Sequence, residues 1–472
     1  MEGAQEAGPD PSIPVEAFRR RVDSGFEAAV ADLAALVEIP GMAWDAFDPA
    51  HLESSAGAVA GLLSGAGLDG VRVLRAAKAD GTPGAPAVLA RKPARSGWPS
   101  VLLYAHHDVQ PPGDPALWET PPFAQAHRHG RLYGRGVADN KAGIIMHLAA
   151  FRALCAERED NLGLGITFFI EGEEEAGSPS LPSFLAGHLE ELAADVMVIA
   201  DSGNWKVGAP ALTTSLRGLA AGIVEVRVMD HALHSGTYGG PVIDALTALS
   251  RVLASLHDDD GTVAVTGLGG YDDGDFPELT EPGFRSDARL RNGLRLAGSG
   301  SLASRLWTKP ALSVIGIDAP AVAVSTDTLQ PVARAKVSLS VAPGSSVVAA
   351  MEALRRHIEA HAPFGAEVAF IPAGMTPAFR AKPGAEATLA MLSAMEKAWG
   401  KPAVEMGVGG SIPVAGIMAE RFPDATVLIN GAEDPDSRAH GANESIDLAD
   451  FRNGILAEAL FLDQLNTDRL KP

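Results

Sequence analysis

The sequence predicts an α/β protein: a mostly parallel sheet flanked by helices, with a smaller α+β domain inserted into it. Three observations carry that prediction. Short apolar runs rich in strand formers alternate with stretches at helical spacing, the pattern of a parallel sheet with helices on both faces. One run, Val-Leu-Leu-Tyr-Ala from Val101, ends abruptly in His106, His107 and Asp108. A buried strand there delivers polar side chains at its carboxyl end, where open α/β sheets bind ligands. The pattern changes after Leu212 and returns near Ala385, which marks an insertion.

Taken in order, residues 1–14 are rich in Gly, Pro and acid and read as a loose N-terminus. From Val15 to Val37 apolar residues recur at helical spacing (Phe18, Val22, Phe26, Val30, Leu33, Val37), an amphipathic helix that ends before Pro40. A second helix is expected over about 51–66. Strands are expected over 71–74, 87–90 and 101–104, a helix over 141–155, and buried strands over 166–170 and 196–200. In the insertion, 222–229 alternates as a half-exposed strand and 242–256 reads as a helix. Residues 257–300 form a Gly/Asp-rich connection, followed by a strand over 335–341, a helix over 346–361 and a strand over 367–371. The main pattern then resumes with a helix to Trp399, a strand over 426–429 and a last helix near 448–465. The implied domains are 15–213 and 383–472 for the main body and 214–382 for the insertion.

Length supports two domains, since 472 residues exceed the roughly 250–300 at which single cores stop growing. The net charge of −21, from 59 acidic against 38 basic side chains, repels phosphate backbones and argues against a nucleic-acid partner. It also leaves carboxylates to spare for cations, although a solvated acidic surface accounts for most of it. Cys155 is the single cysteine, so thiolate metal clusters and an internal disulfide are excluded. It ends an apolar run and is expected in the core. The N-terminal stretch has no apolar segment of a signal peptide, and no run approaches the roughly 20 apolar residues of a membrane span. The expected setting is soluble and cytoplasmic, away from membranes.

A histidine two residues before an aspartate shares its face of an extended chain. Asp108 can therefore orient His106 from behind, or bind a cation beside it. Five further features lie at strand ends or in the following loops. Gly134-Arg135-Gly136-Val137-Ala138-Asp139-Asn140-Lys141 precedes a helix; it is a poor dinucleotide fingerprint, lacking a third glycine and an immediately preceding strand. Glu171-Gly172-Glu173-Glu174-Glu175 crowds carboxylates at the mouth of a strand, a crowding that cations relieve and that a solvated turn also tolerates. Asp201 directly follows a buried strand, where it either caps a turn or ligates. His440 lies in the loop before the last helix, and His234 lies in the insertion. Alone, each loop histidine reads as structural. Jointly, two histidines and several carboxylates without a usable thiol form a donor set for zinc, manganese or cobalt. His107, His127, His129 and His147 read as packed or surface residues. Asp258-Asp259-Asp260-Gly261 lacks the closing glutamate of a calcium loop.

These motifs carry a resemblance. His106-x-Asp108-Val109-Gln110-Pro111, Gly134-Arg135-Gly136 with Asp139-Asn140-Lys141, Glu171-Gly172-x-Glu174-Glu175, Asp201 and His234-Ser235-Gly236 resemble the metallopeptidase M20 family, above all its cytosolic and serum dipeptidase branch. Gly409-Gly410-Ser411-Ile412-Pro413 and Ala439-His440 with Asn443-Glu444 complete the match, in order, from about residue 16 to 465. The resemblance implies a metallopeptidase-type catalytic domain with an inserted ferredoxin-like lid and dimerisation domain. It implies two divalent ions, zinc foremost, with manganese or cobalt as substitutes. His106 and Asp201 would hold one ion, Glu175 and His440 the other, and Asp139 would bridge them. Asp108 would orient His106. Glu174 would act as general base on the attacking water and return its proton to the leaving amine. His234 would bind the oxyanion from the insertion of a partner subunit, which makes the active form a homodimer. Gly410 and Ser411 would contact the substrate.

The substrate side departs from the branch. An arginine that usually grips the substrate carboxylate has no aligned counterpart, and Arg334 is only a displaced candidate. Ser340 and Gly407-Val408 stand where the branch often carries Arg and Arg-Glu. The expected activity is hydrolysis of an amide bond in a small substrate, a dipeptide first. An N-acyl amino acid deacylase or specialised amidase is the alternative within enzymes. A fold-keeping, non-catalytic homologue is the alternative outside them.

Overall fold

The computed structural model of the protein describes residues 13–272 and 276–469; most of the N-terminal stretch read as loose lies outside them. Contacts separate two compact units. The described residues within Met1–Thr213, Ala381–Met406 and Pro413–Pro472 make one, and those within Thr214–Arg380 and Gly407–Ile412 the other.

The first unit opens with α1 (Val15–Val37) and α2 (Ala50–Gly65). It continues through β1 (Arg72–Leu74), β2 (Ala87–Lys92), β3 (Ser100–His106), α3 (Ala142–Arg158), β4 (Gly165–Glu171), α4 (Leu181–Leu192) and β5 (Val196–Ala200). The α1 face read from spacing is the inward one: Phe18, Val22, Leu33 and Val37 are buried. The second unit contributes β6 (Gly218–Arg227), α5 (Ala245–Ala254), β7 (Ala311–Asp318), β8 (Val332–Val341), α6 (Val347–Ala360) and β9 (Glu367–Thr376). The chain then completes the first unit with α7 (Glu386–Trp399), β10 (Thr426–Asn430) and α8 (Leu448–Asp468).

In the first unit the strand order is β1-β2-β4-β3-β5-β10. The four central strands β4, β3, β5 and β10 are parallel, and β2 and β1 add an antiparallel margin. Every residue of β4 and β5 is buried, as expected where helices cover both faces of a parallel sheet. The register pairs His106 with Glu171 and Ala200 with Asn430, so the carboxyl ends of these strands lie level. Helix α3 packs on β3, α1 and α8 pack on α3, and α7 packs on α8. Leu103 is fully buried two positions before Ala105 and three before His106; its replacement by alanine would cost about 2–5 kcal/mol and loosen the strand that presents that histidine.

The second unit has the order β7-β8-β6-β9, antiparallel throughout, with α5 and α6 packed on the sheet. Its β-α-β-β-α-β succession is ferredoxin-like. The helix expected over 242–256 starts at Ala245, because the Asp244 carboxylate accepts the Thr247 N–H at 2.9 Å and caps it. Strand β7 escaped the sequence reading. Val314, Ile315 and Ile317 are all exposed, so no inward alternation marks it. Short elements at Val404–Val408 and Pro413–Arg421 were missed likewise. Cys155 is half-buried against the core rather than inside it.

Candidate metal centre

The level strand ends of the first unit gather the site. His106 is the last residue of β3, Glu174 and Glu175 follow β4, and Asp201 follows β5 directly. Asp139 lies in the turn of Val137–Lys141 that leads into α3. Its entry needs Gly136, at φ 78°, where a Cβ would drive into Val109 Cγ1. The Asp139–Asn140 peptide bond is cis. His440 comes from the loop after β10, with φ 61°, a left-handed conformation that costs a non-glycine residue roughly 1–2 kcal/mol.

Anchors on both sides offset that cost. Strand Ser445–Asp447 pairs with Arg131–Tyr133, and Arg131 reaches the Asp434 carboxylate at 2.8 Å. The buried Glu444 carboxylate accepts Arg135 Nη1 at 2.6 Å and the backbone N–H groups of Gly136, Ala138 and Asp139 at 3.0–3.1 Å. One side chain thus fastens the His440 loop to the Asp139 turn.

Two donor groups result. His106, Glu174 and Asp201 offer ligand atoms within 4.8 Å of one another, as do Asp139, Glu175 and His440. The Asp139 carboxylate joins them: Oδ1 lies 3.1 Å from His106 Nε2 and Oδ2 lies 2.9 Å from His440 Nε2. His106 Nε2 is 3.4 Å from Asp201 Oδ1, and His440 Nε2 is 3.2 Å from Glu175 Oε2. Behind His106, Nδ1 faces the Asp108 carbonyl at 3.1 Å and its carboxylate at 3.3 Å. The Asp108 oxygens also accept the N–H groups of Glu174 and Glu175, at 3.2 and 3.1 Å.

The donor set fits divalent cations. Two donors each about 2.1 Å from a tetrahedral ion stand roughly 3.4 Å apart, close to these separations. Imidazole and carboxylate suit zinc, cobalt or manganese. The electrostatics agree. Burial, then the Asp201 charge, pushes the Glu174 carboxyl well above its usual range. Burial, then Asp139 and Asp201, does the same to Glu433. Hydrogen bonding to Asp139 and Glu175 raises His440 to about 10. Carboxylates crowded to this degree, with imidazoles drawn into their charged form, are a site short of positive charge.

All seven sequence-nominated residues of this unit, His106, Asp108, Asp139, Glu174, Glu175, Asp201 and His440, meet here. The remaining nominees belong to the second unit. His234 is exposed on a two-residue strand paired with Thr328–Leu329, and its Nδ1 accepts the Gly236 N–H at 3.0 Å. Gly410 is exposed and Ser411 partly buried. Arg334 is turned to Glu225, with Nε and Nη2 both 2.6 Å from Oε2. His147 is packed, bonded to Glu458 at 2.6 Å and to the Tyr104 carbonyl at 2.9 Å. Three participants went unnominated. Glu444 and Gln110 sit inside quoted motifs, and period-two spacing from Asp108 could have found Gln110. Glu433 carries no local signal; it reaches the site through the pairing of Gly203 with Glu433 beyond β5 and β10.

Residues 102–464 match the family model of peptidase family M20/M25/M40. The chain belongs to that family. As an M20 metallopeptidase it is 35% identical over 368 residues to a cysteinylglycine-S-conjugate dipeptidase of Corynebacterium striatum, covering 77% of this chain and 80% of that protein. It is 30% identical over 403 residues to the human Beta-Ala-His dipeptidase, covering 80% and 77%. The crystal structure of human carnosine dipeptidase 1 superposes with a TM-score of 0.77 at 25% identity, over 97% of this chain and all of that one. The M20 chain is therefore a metal-dependent hydrolase by family, with the fold of its dipeptidase members.

Proposed function

We propose that the protein is a dinuclear dipeptidase. The observation that carries the reading is the Asp139 carboxylate, which faces His106 with one oxygen and His440 with the other and so joins the two three-residue donor groups, Glu174 standing in the first. His106, Asp139 and Asp201 would hold one cation, and Asp139, Glu175 and His440 the other, zinc by donor type and manganese or cobalt as substitutes. Cations held there polarise the scissile carbonyl and bring the pKa of water down to about 7.

The chain's own groups do the rest. Glu174 takes the proton of the attacking water on its carboxylate and hands it to the departing amine. Asp108 fixes the ring of His106 through Nδ1, so Nε2 faces the site. His234 donates to the developing oxyanion from the partner subunit of a homodimer. The exposed apolar edge of β7 supports that dimer: Val314, Ile315 and Ile317 line a strand with no partner on its outer side among the described residues. A second copy meeting it by two-fold symmetry would cover both edges at once. Gly410 and Ser411 contact the substrate.

Arg334 is left out of these contacts, because its donors are turned to Glu225. That observation favours the second reading, an N-acyl amino acid deacylase or specialised amidase, in its amidase form, because dipeptides and N-acyl amino acids alike end in the carboxylate that an arginine would grip. One experiment separates them: hydrolysis of a panel of dipeptides, N-acyl amino acids and their C-terminal amides by stripped protein, before and after adding zinc, manganese or cobalt. Metal-restored cleavage of free dipeptides is expected. Cleavage of acylated or amidated substrates alone would select the second reading. Two equivalents of bound metal with no hydrolysis of either class would overturn both.

A further inference from the structure

Glu175 is held by a residue that the proposed mechanism does not use. The Gln110 backbone N–H reaches Glu175 Oε1 at 3.1 Å, and its side-chain Nε2 donates to Oε2 at 2.8 Å. Both carboxylate oxygens are thus fixed from one residue. His440 Nε2 approaches the same Oε2 at 3.2 Å. Gln110 stands at the same two-residue spacing as His106, the last residue of β3, and Asp108. His106 offers a ligand atom, Asp108 anchors the backbone of 174–175, and Gln110 anchors the carboxylate at its end. Pro111 follows and biases Gln110 toward extended backbone.

The choice of glutamine has a physical reason. A lysine or arginine in this place would neutralise Glu175 and compete with the cation for it. A neutral amide N–H orients the carboxylate and leaves its charge available.

We infer that Gln110 is a positioning residue for Glu175, setting the affinity of the Asp139–Glu175–His440 group for its cation and leaving the His106–Asp201 side untouched. The inference rests on the dinuclear reading above, but its test does not require a substrate. Partners that orient a ligand typically contribute 10–100-fold to metal affinity.

The test is a zinc titration of stripped protein against a chromophoric chelator, comparing wild type with Gln110→Met, which keeps the volume and loses the donor. Gln110→Leu serves as a second variant, removing the donor with a side chain of similar bulk. Wild type should bind two equivalents. In both variants one equivalent should weaken by 10–100-fold or more, the other staying as in wild type. Peptide hydrolysis by Gln110→Met should approach the wild-type kcat once zinc is raised to fill the weakened site, at unchanged KM. Two equivalents bound as tightly as in wild type would overturn the inference, as would equal weakening of both. A raised KM with normal zinc affinity would also overturn it, placing Gln110 on the substrate. Failure of wild type to bind a second equivalent would sink the dinuclear reading itself.

Discussion

The carboxylate of Glu444 accepts the backbone N–H of Asp139 at 3.1 Å, joining the C-terminal loop of the chain to the turn before α3. It accepts Arg135, Gly136 and Ala138 as well, and both Glu444 and Arg135 are buried. Two members of one donor group, Asp139 and His440, come from these two segments, so the anchor and the candidate site are parts of one construction.

Removing that anchor should be costly. Glu444→Ala strands a buried guanidinium and three N–H groups, and breaking a buried pair from one side costs about 3–5 kcal/mol. Urea unfolding of stripped protein should report a loss of that order. A loss below about 1 kcal/mol would mean that water or neighbouring carbonyls replace Glu444 without difficulty.

Glu174 lies 4.0 Å from His106 Nε2 and is grouped with it and Asp201, so a ligand role competes with the role of base. Glu174→Gln distinguishes them. As base, its loss should lower kcat by about 10²–10⁴-fold with two equivalents of metal retained. Loss of one equivalent from the dialysed variant would make Glu174 a ligand. A rate within tenfold of wild type would remove it from both roles.

For His234, proposed to act across a dimer, substitution by alanine should lower the rate by about 10²–10³-fold with metal content unchanged. Mixed dimers give the sharper reading. Glu174→Gln and His234→Ala subunits, each nearly inactive alone, should form heterodimers with one intact site of two and regain up to half the wild-type rate per heterodimer when refolded together. Failure to recover activity, with heterodimers demonstrated, would place His234 and the cations of one chain in the same site.

The fold and most of the site were legible because their signals are local. The run ending in His106-His107-Asp108 declares a strand and its carboxyl end in one stretch, and Phe18, Val22 and Leu33 declare a helix face. Strand β7 was not legible, because an edge strand exposing Val314, Ile315 and Ile317 has no burial pattern to read. Glu433 and the anchoring role of Glu444 were hidden for another reason. Each acts on residues far along the chain, through strand register or backbone N–H groups that no motif spells out. Gln110 lay between these cases: its spacing was visible, its acceptor was not.

His107, adjacent to His106, offers a pH test that does not pass through catalysis. Its ring is fully buried, Nε2 donates to the Pro86 carbonyl at 2.8 Å, and Nδ1 has no partner. A Cβ at Gly172 would drive into both Pro86 O and His107 Nε2, so the ring has no room to turn toward solvent. Burial disfavours the imidazolium and brings its pKa down from 6.5 to about 4. A depressed pKa means that the folded state favours the neutral ring. Its contribution is complete above pH 6.5 and is lost as pH falls toward 4, by about 3 kcal/mol at the end of that window. His107→Gln keeps a donor for the Pro86 carbonyl and removes the titration. Unfolding free energies of stripped protein, measured from pH 7 to 4, should fall less steeply for the variant across that window. Parallel curves for the two proteins would assign the acid sensitivity to other groups and leave His107 a packing residue alone.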